Sequence, residues 1–154
     1  MLVRQSRSTP TSPPPAPQGV VGVPERGLST LATIGRPIYW AGARKGETYE
    51  LTRTPDGRVY VRYLPAGVSV GASRPYLTVG PYPLPNAYAS TKAVAARPGS
   101  ARISVPGGVA FDERLRPTSV YLAFPAVGEQ IEAFDLSAAV AHAAVARHLI
   151  PAVH

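Results

Sequence analysis

The residues best placed to do chemistry are an alternation of arginine and tyrosine: Arg58, Tyr60 and Arg62 occupy every second position of one strand-like run. Period two puts the three side chains on one face of a strand. Such a face pairs anions through its guanidinium groups and stacks flat rings on its phenol. The plainer alternative is a solvated outer face, with Glu50 opposite Arg62. Trp40, Arg74 and Tyr82 complete the candidate binding set. Trp40 with Tyr76, Tyr82 and Tyr88 would line a groove among Pro75, Pro81 and Pro83, with Arg74 at its rim. The same aromatic and proline residues serve packing equally well.

A hydrolase reading starts from Gly67-Val68-Ser69-Val70-Gly71, which matches the G-x-S-x-G nucleophile elbow. Asp112 or Asp135, and then His142, follow in the order of such a triad. The elbow needs a strand before the serine, a sharp turn at it and a helix after it. Here Ala72-Ser73-Arg74-Pro75 follows, then another strand, so the Ser-centred hydrolase ranks third among the readings. Acid–base work would need Asp112, Glu129, Glu132 or Asp135 to converge. Glu132 shares a strand face with Gln130, opposite Ile131 and Ala133, and is expected on a solvated outer face. His142 and His148 are about 240° apart around a helix, so they cannot share a metal. Cysteine is absent, which excludes disulfides, thiol nucleophiles and thiolate metal sites. No catalytic residue, metal or cofactor is expected.

Short strands must position these groups, and residues 47–64 give the clearest signal. Proline presets φ in Thr54-Pro55-Asp56-Gly57 and glycine accepts positive φ, a type I turn closed by a bulge. With Thr54 opposite Arg58, the pairs are Arg53–Val59, Thr52–Tyr60, Leu51–Val61, Glu50–Arg62 and Tyr49–Tyr63. One face then carries Tyr49, Leu51, Val59, Val61 and Tyr63 toward a core. The other carries Glu50, Thr52, Thr54, Arg58, Tyr60 and Arg62 toward water. A two-residue loop would set Arg62 against Leu51 and mix the faces, so the bulged register is favoured. Strands are also predicted at 38–40, 76–80, 102–105, 109–112, 118–124 and 129–134. Residues 68–73 read as loop and 81–85 as extended chain. Asn86 is expected to cap a helix over 87–96, and Ser137 a second one reaching Leu149. The order predicts an α+β fold: a mostly antiparallel sheet of hairpins with two helices on one face, behind a disordered Pro-rich arm.

A length of 154 residues suits one domain with a tail. Residues 1–36 read as a disordered Pro/Ser/Thr-rich arm or linker, 37–150 as a single domain and 151–154 as a flexible C-terminus. A linker joins two things, so the arm is either free or follows an upstream segment. The net charge of +7 is uneven: +3 on residues 1–37, +6 on 38–116 and −2 on 117–154. A basic front and middle favour an acidic polymer, an anionic surface or a protein partner. The same charge serves solubility, and the excess of arginine and alanine fits GC-rich coding. No run approaches the ~18–20 apolar residues of a membrane span. The N-terminus lacks the apolar stretch of a signal peptide. A cytoplasmic place is expected unless an export segment lies upstream.

Four stretches carry a resemblance across residues 37–135. They are Pro37-Ile38-Tyr39-Trp40-Ala41-Gly42, Thr48-Tyr49-Glu50-Leu51-Thr52-Arg53-Thr54, Val59-Tyr60-Val61-Arg62-Tyr63-Leu64-Pro65 and Tyr82-Pro83-Leu84-Pro85-Asn86. They resemble uncharacterised proteins of high-GC Gram-positive bacteria, often exported or lipid-anchored ahead of a Pro-rich linker. The resemblance implies an extracytoplasmic place and brings no activity. The expected function is a non-enzymatic interaction or envelope-associated module. The alternative is an anion- or nucleic-acid-binding module using Arg58, Tyr60 and Arg62.

Overall fold

The computed structural model describes residues 18–24, 27–28, 37–146 and 152–153. Strands β3 (Thr48–Arg53) and β4 (Val59–Leu64) pair in the expected register, with Tyr49 opposite Tyr63, Leu51 opposite Val61 and Glu50 opposite Arg62. The Thr54 N–H donates to the Arg58 carbonyl and the Gly57 N–H to the Thr54 carbonyl, both at 2.9 Å. Gly57 sits at φ +84°, the left-handed region that a β-branched residue resists.

The hairpin belongs to a larger sheet with β1 (Gln18–Val23), β5 (Thr78–Pro83), β6 (Ser100–Ile103), β7 (Val109–Glu113), β8 (Arg116–Ala123) and β9 (Glu129–Phe134). These eight strands run antiparallel in the order β1-β3-β4-β5-β9-β8-β7-β6. A two-residue strand, β2 (Ile38–Tyr39), pairs with β10 (Ala152–Val153). Helices α1 (Ala87–Ala95) and α2 (Ala138–Ala146) complete the α+β fold.

Two prolines sit inside β5, where a missing N–H would normally break the ladder. The Leu77 carbonyl accepts from Tyr63 N–H, so residues 77, 79, 81 and 83 turn their backbone groups toward β4. The β4–β5 partners are Val61–Val79 and Arg62–Thr78. Pro81 and Pro83 fall beyond them, and their ladder to β9 uses the opposite backbone edge. The Arg58 guanidinium takes up the Pro81 carbonyl at 3.1 Å.

The helices lie on opposite faces, which corrects the one-face expectation. Gln130 Nε2 donates to Thr91 of α1, whereas His142 of α2 touches Asp112. Gln130 shares a face with Tyr82 and Glu132. Asp112 shares the other with Val120, Ala133, Val79 and Val61. Both faces offer apolar ground: Phe111 and Ala123 are buried on the side of α1. Helix α1 is the crossover from β5 to the far edge strand β6, so it spans β7–β9 on the way. Each helix buries a stripe of short side chains: Ala87, Thr91 and Ala95, or Ala141, Ala144 and Val145.

The inner face, under α2 and β2, is the main core. It contains Tyr49, Leu51, Val61, Tyr63, Val79, Val120, Leu122 and Ile131. Its phenols are satisfied: the Tyr63 hydroxyl accepts from Ala41 N–H (2.7 Å) and donates to the Gly42 carbonyl (3.1 Å).

Three further expectations change. Gln18–Val23, placed in the disordered arm, is instead a sheet strand, and Leu28 is fully buried. Val21 and Val23 supply β-branched residues beside β3, which offsets the interrupting glycines. Ala152–Val153, placed in the flexible C-terminus, pairs with β2. Asn86 precedes α1 but adopts a left-handed conformation (φ 52°) without a side-chain cap, closing the proline-rich turn instead. Of the expected arm over residues 1–36, residues 1–17, 25–26 and 29–36 lie outside the described residues, as does the predicted helix extension over 147–149. Among the described residues no helix is long and apolar enough to cross a membrane.

Candidate functional site

The outer face of the sheet divides into three zones. At one end the β4–β5 loop folds over β3 and β4. Gly71 N–H donates to Glu50 Oε2 at 2.6 Å, and Arg62 Nη1 donates to the carbonyls of Ala72 (2.8 Å) and Arg74 (3.4 Å). Beneath it Arg62 grips Glu50 through two nitrogens, each 2.8 Å from a carboxylate oxygen. The Glu50 side chain is 5% exposed and that of Arg62 19%. This pair is therefore a buried fork, not part of the solvated face that was expected. At the other end α1 packs on β6–β9 at the level of Gln130, whose Nε2 donates to Thr91.

Between the two covers lies an open polar strip. Cross-strand partners bring Tyr60, Gly80, Glu132 and Tyr121 into one row across β4, β5, β9 and β8. Gly80 is required here: a Cβ at this position would stand 1.9 Å from Tyr60 Cδ1, so the ring lies across the glycine. Tyr82 stands edge-on to Tyr60, centroids 5.6 Å apart. Ser119 Oγ donates to Glu132 Oε1 at 2.6 Å. Tyr60, Tyr121 and Glu132 are half-buried, and Tyr82 is 41% exposed.

Burial, and then the charge of Glu132, push the Tyr82 hydroxyl far above its ordinary range. The same two causes, in the same order, raise Tyr121. Tyr60 is raised by burial, opposed by Arg58. Arg58 Nη1 donates to the Tyr60 hydroxyl at 2.8 Å, while its Nε holds Asp56 at 2.8 Å. Asp56 is held below the ordinary carboxylate range by the Thr54 hydroxyl and then by Arg58. Arg116 pairs with Glu113. Among the described residues no base pairs with Glu132.

The structure brings together Arg58, Tyr60 and Tyr82 of the expected binding set. Arg62 lies on the same face but under the loop. Arg74 stacks over Tyr76, 5.9 Å from its centroid. Trp40 is on the other side of the sheet, edge-on to Tyr49 at 5.8 Å. The groove expected from Trp40, the tyrosines and Arg74 is therefore not formed. Its prolines keep the chain extended, but Trp40 follows β2, which packs on the inner face.

Asp112 and His142 do meet: Asp112 Oδ2 is 2.5 Å from His142 Nε2, on the inner face. Ser69 is in the β4–β5 loop on the outer face, where its carbonyl closes a turn with Ala72 N–H. Three strands separate β4 from β7, so the serine cannot join this pair. Among the described residues no three His, Asp or Glu side chains gather as metal ligands.

Reading the sequence missed Ser119 and Tyr121 as site residues and took Glu132 only as an acid–base candidate on a solvated face. Their outward phase on β8 and β9 was legible, since Glu132 alternates with Ile131 and Ala133. The non-local pairing of β9 with β5, which sets Glu132 beside Tyr60 and Tyr82, was not. Comparison with family models, with curated proteins and with solved structures finds no match.

Proposed function

We propose that the chain is a non-catalytic interaction module whose recognition surface is the open strip centred on Tyr82 and Glu132. One observation carries this reading: a half-buried carboxylate sits in mid-sheet, framed by three tyrosines of which Tyr82 is exposed, between the ground held by α1 and that held by the β4–β5 loop. Tyrosine offers large contact area with few rotatable bonds and a polar tip, the chemistry of protein recognition surfaces. The Pro-rich stretch ahead of β1 suits a module held away from whatever carries it, and a place at the cell envelope fits that arrangement. Binding of an acidic polymer would have to rest on bases other than Arg58 and Arg62, whose charges are matched by Asp56 and Glu50.

The test is a nuclear magnetic resonance titration with a mixture of neutral sugars, small amines and small carboxylates. Shifts should cluster at Tyr60, Tyr82, Tyr121 and Glu132. Shifts confined to the Asp112–His142 pair, or no shifts on the outer face, would refute the reading.

A further inference from the structure

We infer that the strip receives a basic side chain, lysine or arginine, from a protein partner; this rests on the recognition surface proposed above. The sign of the site is the first argument. Arg58, Arg62 and Arg116 are each engaged by a carboxylate of their own, Asp56, Glu50 and Glu113. Glu132 has the hydroxyls of Ser119 and Tyr82 beside it and no ion-pair partner among the described residues. The strip therefore carries one uncompensated negative charge, although the chain as a whole is +7. At physiological ionic strength charges beyond about 8 Å are largely screened, so the local carboxylate decides what docks.

The rings are the second argument. Glu132 faces Tyr121 on β8 directly and Tyr82 on β5 diagonally, by way of Gln130. A carboxylate between two phenol rings offers a cation both an ion pair and electron-rich ring surface. The hydroxyls of Tyr82 and Tyr121 are raised first by burial and then by the charge of Glu132. The Tyr60 side is less suitable, because Arg58 points at its hydroxyl.

The third argument is shape. Small-molecule sites are concave and enclose most of the ligand. Here Tyr82 is 41% exposed on an open sheet face, which suits a side chain presented by another surface.

The experiment titrates the full chain with the peptides acetyl-Gly-Lys-Gly-Lys-Gly-amide, its Gln and Glu counterparts, and n-butylammonium. The signals followed are the Tyr82 and Tyr121 rings and the Glu132 carboxyl carbon. The Lys peptide should give saturable shifts that the Gln and Glu peptides do not. Glu132→Gln should weaken binding by roughly tenfold or more, the scale of a desolvated cation contact. If Glu132→Gln fails to fold, Tyr82→Leu is read instead and should weaken binding severalfold. Equal binding of the Lys and Gln peptides would overturn the basic-side-chain inference while leaving the recognition surface standing. So would shifts from the sugars alone. Butylammonium matching the Lys peptide at equal cation concentration would overturn the protein partner. No shift from any probe would overturn the inference and the surface together.

Discussion

Gly80→Ala tests the packing that gives the strip its form. The added Cβ would lie 1.9 Å from Tyr60 Cδ1, 2.4 Å from Cε1 and 2.9 Å from Cγ. Carbons in contact sit about 3.5 Å apart or more, so the ring must withdraw by about 1.6 Å. It is not free to do so: its hydroxyl is bonded to Arg58 and its edge rests on Tyr82. Gly80 is not among the positive-φ residues, so alanine adds no backbone strain. Overpacking of this kind costs about 1–3 kcal/mol. Replacing glycine within a strand returns roughly 0.5–1 kcal/mol. The net expectation is a loss of about 1–2 kcal/mol, read by urea denaturation with an unchanged m-value. In a Tyr60→Ala background the clash is gone, and Gly80→Ala should become neutral or stabilising. The coupling between the two changes should then be about 2 kcal/mol, well above the scatter of independent sites. An equal cost in both backgrounds would refute the account.

Glu50→Ala should cost about 3 kcal/mol in urea denaturation, because it strands a mostly buried guanidinium and the Gly71 N–H. The double variant Glu50→Leu/Arg62→Leu should recover most of that loss. Arg58→Ala should cost about 1–2 kcal/mol through its lost bonds to Tyr60 and Pro81, more than the ±0.5 kcal/mol of an ordinary surface change. Alkaline titration should show delayed ionisation of Tyr39, Tyr60, Tyr63, Tyr82 and Tyr121, all raised chiefly by burial, with Tyr39 pushed up to about 12. The folded chain holds these phenolic protons more tightly than the unfolded chain. Their stabilising contribution is therefore complete below about pH 10 and is lost as pH rises through the folded values. Tyrosinate absorbance in the native protein should lag that in urea, and a coincident curve would refute the burial. Glu132→Leu should leave stability unchanged or raise it by about 1 kcal/mol, since the position is half-buried and leucine gains apolar contact there. A loss above 1 kcal/mol in urea would make Glu132 a structural residue.

The hairpin was legible because every signal in it is local. A turn tetrapeptide and a period-two alternation specify one register, and a slip by one residue would exchange the two faces. The helices were legible for the same reason, but their placement on opposite sides was not. Nothing local in residues 87–95 says that the chain must travel from the middle of the sheet to its far edge. The cover over Arg62 was hidden likewise. It depends on residues 65–75 folding back so that Gly71 meets Glu50, a contact 21 residues apart. Edge strand β1 was masked by its glycines and by the proline-rich composition before it. Arg58, Tyr60 and Tyr82 could be read as one set, because hairpin register and proline phase place them near each other. Trp40 could not, because β2 leaves the sheet.

Charge shows most plainly how the fold alters a sequence-level reading. Residues 38–116 carry +6, which suggests a basic surface. Within that stretch Glu50, Asp56 and Glu113 each meet an arginine. Strand β9 comes from the acidic C-terminal stretch, and its insertion between β5 and β8 brings Glu132 into the centre of the basic part. The local sign therefore opposes the net one. This placement needs compensation: a half-buried carboxylate gives up part of its hydration, and the Ser119 hydroxyl supplies a hydrogen bond in its place. An apolar residue there would serve the sheet at least as well, since Ile131 and Ala133 on the other face already define the core. Where a chain departs from the pattern that best stabilises its fold without a packing reason, binding is the first explanation to test.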